Sequence, residues 1–122
     1  METNTTEKDL AAESDPEAYA ESDPEAYIED LYERDEVLEA VRNSVVARGM
    51  PDISVAPAYG RLLTLLVRIS GARRVLEIGT LGGYSAICLA RGLDEGGKVI
   101  SLELDPNWAQ LACSNLELAG LG

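Results

Sequence analysis

The sequence predicts an α/β fold in which helices come first and one strand–helix–strand unit with parallel strands follows. Two short β-rich runs, Val75–Ile78 and Lys98–Leu104, have the pattern of buried strands. Between them, Tyr84–Arg91 has the apolar spacing of a helix. Strands joined through a helix in this way lie parallel, with a right-handed crossover. Two strands form only the start of a doubly wound sheet, so the predicted sheet is incomplete.

Two helices are predicted before the first strand. Residues 28–47 predict one helix that ends before Gly49 and Pro51, and its apolar residues share one face: Ile28, Leu31, Leu38, Val41 and Val45. Residues 57–70 predict the next helix, which ends at Gly71 and has a leucine-rich face: Leu62, Leu63, Leu66 and Ile69.

A last helix is predicted after the second strand. Asp105 and Pro106 supply a capping side chain and a first-turn proline, and the helical pattern ends near Gly120. Helices on both sides of the strand–helix–strand unit therefore complete the predicted element order.

Negative charge is concentrated at the start of the chain. The 122 residues carry a formal net charge of −12, and residues 1–40 hold 15 of the 22 acidic side chains but two of the ten basic ones. The motif ESDPEAY occurs at 13–19 and again at 21–27. We expect disorder up to about Asp23 and a helix thereafter, so residues 1–27 form an acidic arm and residues 28–122 a separate domain. Such an arm suits either a solvated tail or a docking segment for a basic partner.

Composition excludes several classes of protein. Residues 41–122 hold seven acidic and eight basic side chains and are almost neutral, which argues against a nucleic-acid binder because such proteins need a basic stripe. The chain has no histidine, so catalysis by histidine and metal ligation by histidine are both excluded within it. No apolar run approaches the length of a membrane span, and the acidic N-terminus is unlike a signal peptide. These features predict a cytoplasmic protein without a membrane partner.

A glycine-rich turn follows the first predicted strand and predicts a ligand site. Gly79, Gly82 and Gly83 permit positive φ angles and let a ligand approach the backbone. The next helix presents free N–H groups around Gly83–Ser85, suited to a carboxylate or phosphate. Glu103 ends the second predicted strand, where an acid can accept hydrogen bonds from ribose hydroxyls.

Glu77 narrows the class of ligand. Its negative charge beside the turn repels a diphosphate but suits the ammonium of an amino-acid zwitterion. Glu103 suits a ribose. A ligand that has both an amino-acid end and a ribose is S-adenosylmethionine. The alternative for Glu77 is an ion pair with Arg73 or Arg74. The turn lacks the G-x-G-x-x-G pattern because position 81 is leucine, and no P-loop motif is present. These absences argue against a protein that binds a nicotinamide cofactor and against a nucleotide hydrolase.

The string VLEIGTLGGYSAICLARGLDEGGKVISLELDPNWAQLACSNLELAGL resembles the first half of a methyltransferase domain. It is similar to the cation-dependent O-methyltransferases of the catechol and caffeoyl-coenzyme A type. Their pattern appears here as Leu76–Gly79, Gly83–Ala86, Glu103 and Ala119–Gly120, and the approach segment Ile53–Gly60 is also similar. The resemblance covers about residues 50–122. It implies an incomplete Rossmann-like methyltransferase fold with N-terminal helices and one βαβ unit, preceded by the acidic arm.

The resemblance also implies residue roles in binding S-adenosylmethionine. Glu77 and Gly79 would line the methionine end, and Ser85 would hold its carboxylate together with N–H groups of the helix that starts at Gly83. The remaining roles concern the rest of the cofactor: Glu103 takes the ribose hydroxyls, Leu104 borders the adenine, and Ser54 with Val55 closes over the sulfonium. Trp108 is assigned to packing, either in the core or at the edge of the cofactor.

Metal and acceptor sites in that family lie on later strands. The resemblance therefore implies a divalent cation, magnesium, and a small-molecule hydroxyl acceptor only for an intact member. We expect the present chain to be an N-terminal fragment that is inactive alone and able to form a homo-oligomer. Two alternatives stay open: a non-catalytic interaction module with an acidic recruiting arm, and an NAD-binding Rossmann fragment.

Overall fold

A computed structural model of the protein describes residues 23–122, which fall into two compact units divided after Glu33. In the first unit, α1 spans Pro24–Asp30, and the Asp23 side chain accepts a hydrogen bond from the Ala26 N–H. The start of a helix after Asp23 is thereby confirmed. The disorder predicted for the arm up to residue 22 lies outside the described residues.

The second unit begins with α2, Glu36–Ala47, and the single helix predicted over 28–47 is wrong. Asp35 adopts an extended conformation and its side chain caps the Leu38 N–H, so a new helix begins there. Leu38, Val41 and Val45 are buried, as the pattern predicts.

The remaining elements follow the predicted order. They are α3 (Pro57–Ser70), β1 (Arg74–Ile78), α4 (Tyr84–Arg91), β2 (Lys98–Leu102) and α5 (Pro106–Leu118). The strands are parallel and in register from Arg74 opposite Lys98 to Ile78 opposite Leu102. The α/β class and the βαβ unit are therefore confirmed. The second strand stops two residues before its predicted end because the Leu104 and Asp105 N–H groups bond to the Glu103 carboxylate.

Helix α3 has the predicted bounds, but its buried face matches the predicted one only at Leu63, which packs against the core. Leu62, Leu66 and Ile69 are 47%, 48% and 70% exposed, whereas Gly60 and Val67 are buried. A Cβ on Gly60 would lie 2.9 Å from the Cys88 sulfur, so the missing side chain allows α3 to approach α4 closely. Close approach at a glycine thus selects this face over the leucine-rich one.

The core is formed mainly by α2 and α4, against which Leu63 of α3 and Leu116 of α5 pack. Its buried centre consists of Leu38, Val41, Tyr84, Ile87 and Cys88. The opposite face of the two strands is apolar but exposed: Leu76, Ile78, Ile100 and Leu102. Within the described residues, no helix is both long and apolar enough to cross a bilayer.

Candidate functional site

The turn between β1 and α4 has an unusual backbone. Gly79, Leu81 and Gly83 all have positive φ angles, of 78°, 54° and 88°. The left-handed conformation costs a leucine about 1 kcal/mol, so the surrounding structure must hold Leu81 there. Packing contributes to this, since a Cβ on Gly82 would lie 2.3 Å from a methyl group of Val45. The turn is therefore pressed directly against α2.

A buried amide also holds the turn. Asn115 of α5 is 5% exposed, and its Nδ2 donates to the Gly82 carbonyl at 2.8 Å and to the Ser44 hydroxyl at 3.0 Å. This residue was not predicted from the sequence. The signal was a polar residue four positions after Leu111, on the face of α5 that the core covers.

The Glu103 carboxylate closes the turn from the side of β2. Its Oε2 accepts hydrogen bonds from the Thr80 and Leu81 N–H groups, both at 3.0 Å. Its Oε1 accepts from the Leu104 and Asp105 N–H groups at 2.8 and 3.2 Å. Successive N–H groups in a turn of this kind form a concave anion site. In this protein the chain's own carboxylate occupies it.

These bonds affect the acidity of Glu103. The Asp105 N–H contributes most, and with the Leu81, Thr80 and Leu104 N–H groups it lowers the pKa of Glu103, against an opposing effect of partial burial. The carboxylate therefore stays charged to a lower pH than an ordinary glutamate.

Glu77 is held by side chains instead of by the backbone. Ser85 Oγ donates to its Oε1 at 2.5 Å, and Ser101 Oγ donates to its Oε2 at 2.6 Å. The alternative ion pair with Arg73 or Arg74 does not form, and within residues 23–122 no basic side chain forms a salt bridge with Glu77. A half-buried carboxylate is therefore held in place by two neutral hydroxyl groups.

A cleft of about 270 Å³ lies beside the turn. Five of the predicted site residues line it: Ser54, Val55, Gly79, Ser85 and Glu103. Glu77 is not among the residues that line the cleft but accepts a hydrogen bond from Ser85, which is, and Gly83 packs against α5. Leu104 is 98% exposed and does not line the cleft. Five further residues line the cleft: Ile53, Thr80, Leu81, Tyr84 and Trp108. No ligand role was predicted for Ile53, Thr80 or Leu81.

Unsatisfied polar groups are present in this cleft. Thr80 is 6% exposed, and its hydroxyl and that of Ser54 are buried without a hydrogen-bond partner in the described part of the chain. No side chain of that part caps the N-terminus of α4, where Gly83 stands at the capping position. Buried donors without partners and an uncapped helix start favour a polar, anionic group of a ligand.

A divalent cation would need a set of acidic or thiol side chains grouped around it as ligands. Across residues 23–122, no three acidic or thiol side chains are grouped so that they could hold a metal ion. The side chains described therefore do not fit a divalent cation, and no step of the proposed methyl transfer is assigned to one.

Comparison with known proteins identifies the family. A sequence model described as O-methyltransferase matches residues 28–122. This chain belongs to the O-methyltransferase family. The resemblance to O-methyltransferases that the sequence motifs indicated is therefore confirmed.

Individual O-methyltransferases are also similar to the chain. A catechol O-methyltransferase of Niastella koreensis is 48% identical over 87 residues, which are 71% of this chain and 39% of that protein. The O-methyltransferase of Bacillus cereus in complex with SAH is 49% identical with a TM-score of 0.77, over 80% of this chain and 44% of that one. TomG of Streptomyces achromogenes, an O-methyltransferase involved in tomaymycin synthesis and solved with SAM, is 40% identical with a TM-score of 0.74, over 80% of this chain and 44% of TomG.

These matches confirm the incomplete Rossmann-like methyltransferase fold. The chain spans about two fifths of the length of the curated relative from Niastella koreensis.

Proposed function

We propose that this chain binds S-adenosylmethionine as the cofactor-binding part of an O-methyltransferase. One observation carries the proposal: a fixed carboxylate, Glu77, lies next to the uncapped N-terminus of α4. A negative and a partly positive pole side by side match the ammonium and carboxylate of an amino acid. The similar proteins solved with SAH and SAM support the same ligand.

The methionine end of the cofactor meets the start of α4 in this proposal. Its ammonium approaches Glu77, beside the backbone of Gly79, and its carboxylate takes the N–H of Ser85. The Ser85 hydroxyl is already donated to Glu77, so the unpartnered hydroxyls of Ser54 and Thr80 are the side-chain donors left for the carboxylate. Each buried hydroxyl would then gain the partner that it lacks, which makes the cleft fit this group.

The nucleoside end meets Glu103. A carboxylate has about four acceptor positions, and Glu103 already accepts four N–H groups. Ribose hydroxyls must therefore replace some of these bonds when they bind. Val55 covers the sulfonium side, Trp108 forms a wall of the cleft, and the exposed Leu104 borders the adenine in this arrangement.

When bound, the cofactor would supply a methyl group on a positively charged sulfur. An acceptor oxygen would form a bond to that methyl carbon as the sulfur–methyl bond breaks, and neutral S-adenosylhomocysteine would leave. The residues described here bind and orient it. For the whole protein we propose transfer to the hydroxyl of a small molecule, consistent with the name of the catechol O-methyltransferase relative.

Geometry disfavours the NAD alternative. A diphosphate in the turn needs the N–H groups of Thr80 and Leu81, which Glu103 occupies. Two carboxylates, Glu77 and Glu103, would also repel it.

Calorimetry on the full chain tests the proposal. S-adenosylmethionine and S-adenosylhomocysteine are expected to bind and NAD⁺ is not. E77Q should weaken S-adenosylmethionine binding about tenfold because a charge-assisted hydrogen bond is lost. E117Q, which changes an exposed glutamate of α5, serves as the matched control. Binding of NAD⁺ in place of S-adenosylmethionine would overturn the proposal.

A further inference from the structure

On the face of the sheet that the helices cover, the side chains change from apolar to polar along the two strands. Val75 and Val99 stand opposite each other in the register, and the pair two positions further on is Glu77 and Ser101. All four are half-buried on the face towards the helices. Apolar side chains stabilise such positions most simply, whereas a carboxylate there has to be hydrogen-bonded. The polar pair lies at the end of the strands that adjoins the cleft.

Ser101 and Ser85 hold the two oxygens of Glu77 from different elements. Ser101 approaches Oε2 from β2 at 2.6 Å, and Ser85 approaches Oε1 from α4 at 2.5 Å. These are short distances, typical of a hydroxyl that donates to a charged carboxylate. Each oxygen keeps a further acceptor position, and no basic side chain of residues 34–122 neutralises the charge by a salt bridge.

We propose that Ser101 is a positioning residue for recognition of the amino-acid ammonium, acting through Glu77. The inference rests on the proposed function, and it adds a residue that does not itself line the cleft. Ser101 fixes the carboxylate in one orientation, so an incoming ammonium meets an acceptor that is already ordered. Without Ser101, the carboxylate is held at one oxygen only, and part of the binding energy goes into ordering it.

Two ligands separate this role from a structural one. S-adenosylhomocysteine carries the ammonium, and 5′-methylthioadenosine has the same nucleoside and sulfur without the amino-acid end. S101A is expected to weaken S-adenosylhomocysteine binding about tenfold and to leave 5′-methylthioadenosine binding unchanged, as measured by calorimetry on the full chain. S101T, which keeps the hydroxyl, should restore the wild-type affinity.

A double-mutant cycle tests whether Ser101 acts through Glu77. In the E77Q background, S101A should cause no further loss of S-adenosylhomocysteine affinity, because the charge that Ser101 positions is gone. S114A is the control, since the Ser114 hydroxyl is exposed and donates within α5 to the Gln110 carbonyl. If S101A does not fold, S101C, with a weaker donor of similar size, takes its place and the same tenfold loss is expected.

The outcomes separate this inference from the proposed function. If the wild-type chain binds neither ligand, the proposed function fails and this inference fails with it. If the wild-type chain binds both and S101A weakens both equally, Ser101 is structural and only this inference is overturned. An S101A variant with wild-type affinity, or additive losses in the cycle, would overturn it as well.

Discussion

Glu77 and Glu103 lie near the carboxyl ends of neighbouring strands, yet the protein holds them by different means. Glu103 is held by four backbone N–H groups, two of them from the glycine turn. Glu77 is held by two serine hydroxyls and keeps acceptor positions for a further donor. In the proposed binding mode, the ligand therefore adds a bond to those of Glu77, whereas it must exchange with the bonds of Glu103.

Removal of the Glu103 carboxylate is expected to have the largest effect. E103A leaves the Thr80 and Leu81 N–H groups without their acceptor and the left-handed Leu81 without support. We expect a loss of about 2 kcal/mol in unfolding free energy, and about 100-fold weaker binding of S-adenosylmethionine. Urea unfolding and calorimetry measure the two effects.

E77A is the matched comparison for E103A. It should weaken binding of S-adenosylmethionine but leave that of 5′-methylthioadenosine unchanged, whereas E103A should weaken both. Equal losses of 5′-methylthioadenosine affinity in the two variants would contradict the division between the two carboxylates.

Packing of the glycine turn provides the next test, because it affects the N–H groups that Glu103 accepts but not the serines around Glu77. G82A places a methyl group 2.3 Å from the Val45 side chain. The expected cost is about 2 kcal/mol in unfolding free energy, as for other overpacked sites. V45A should recover part of it when combined with G82A, because it removes the methyl groups that clash. Urea unfolding of the two single variants and the double variant decides this, and strictly additive losses would argue against the contact.

Local patterns predicted much of this arrangement. The bounds of α3 and α4, the cap of α5 and the positions of Glu77 and Glu103 follow from glycine, proline and carboxylate spacing. The cap at Asp35 was also readable, but a continuous apolar period across it concealed the break in the helix. Hydrophobicity alone predicted the wrong buried residues of α3 except for Leu63, since a small residue at Gly60 decides which face packs.

Partners from distant elements could not be predicted. Asn115 donates a hydrogen bond to the Gly82 carbonyl, 33 positions away in the sequence, and Ser101 donates one to Glu77, 24 positions away. Such pairs depend on the register of the strands and on the packing of α5 against the turn. Neither is encoded in a local pattern of residue types.

The pH dependence of the E103Q substitution is the smallest expected effect, and comparison with the wild-type chain isolates Glu103 from the other carboxylates. Because the folded pKa of Glu103 is lowered, its charged form stabilises the fold at pH values above the ordinary value of 4.5. That contribution is lost as the pH falls through the lowered pKa. The difference in unfolding free energy between the wild-type chain and E103Q should therefore be constant from neutral pH to about pH 5 and shrink below it. Urea unfolding over a pH series measures it. A difference that grows on acidification would mean that the turn raises the pKa of Glu103, and that the four N–H groups do not hold a charged carboxylate.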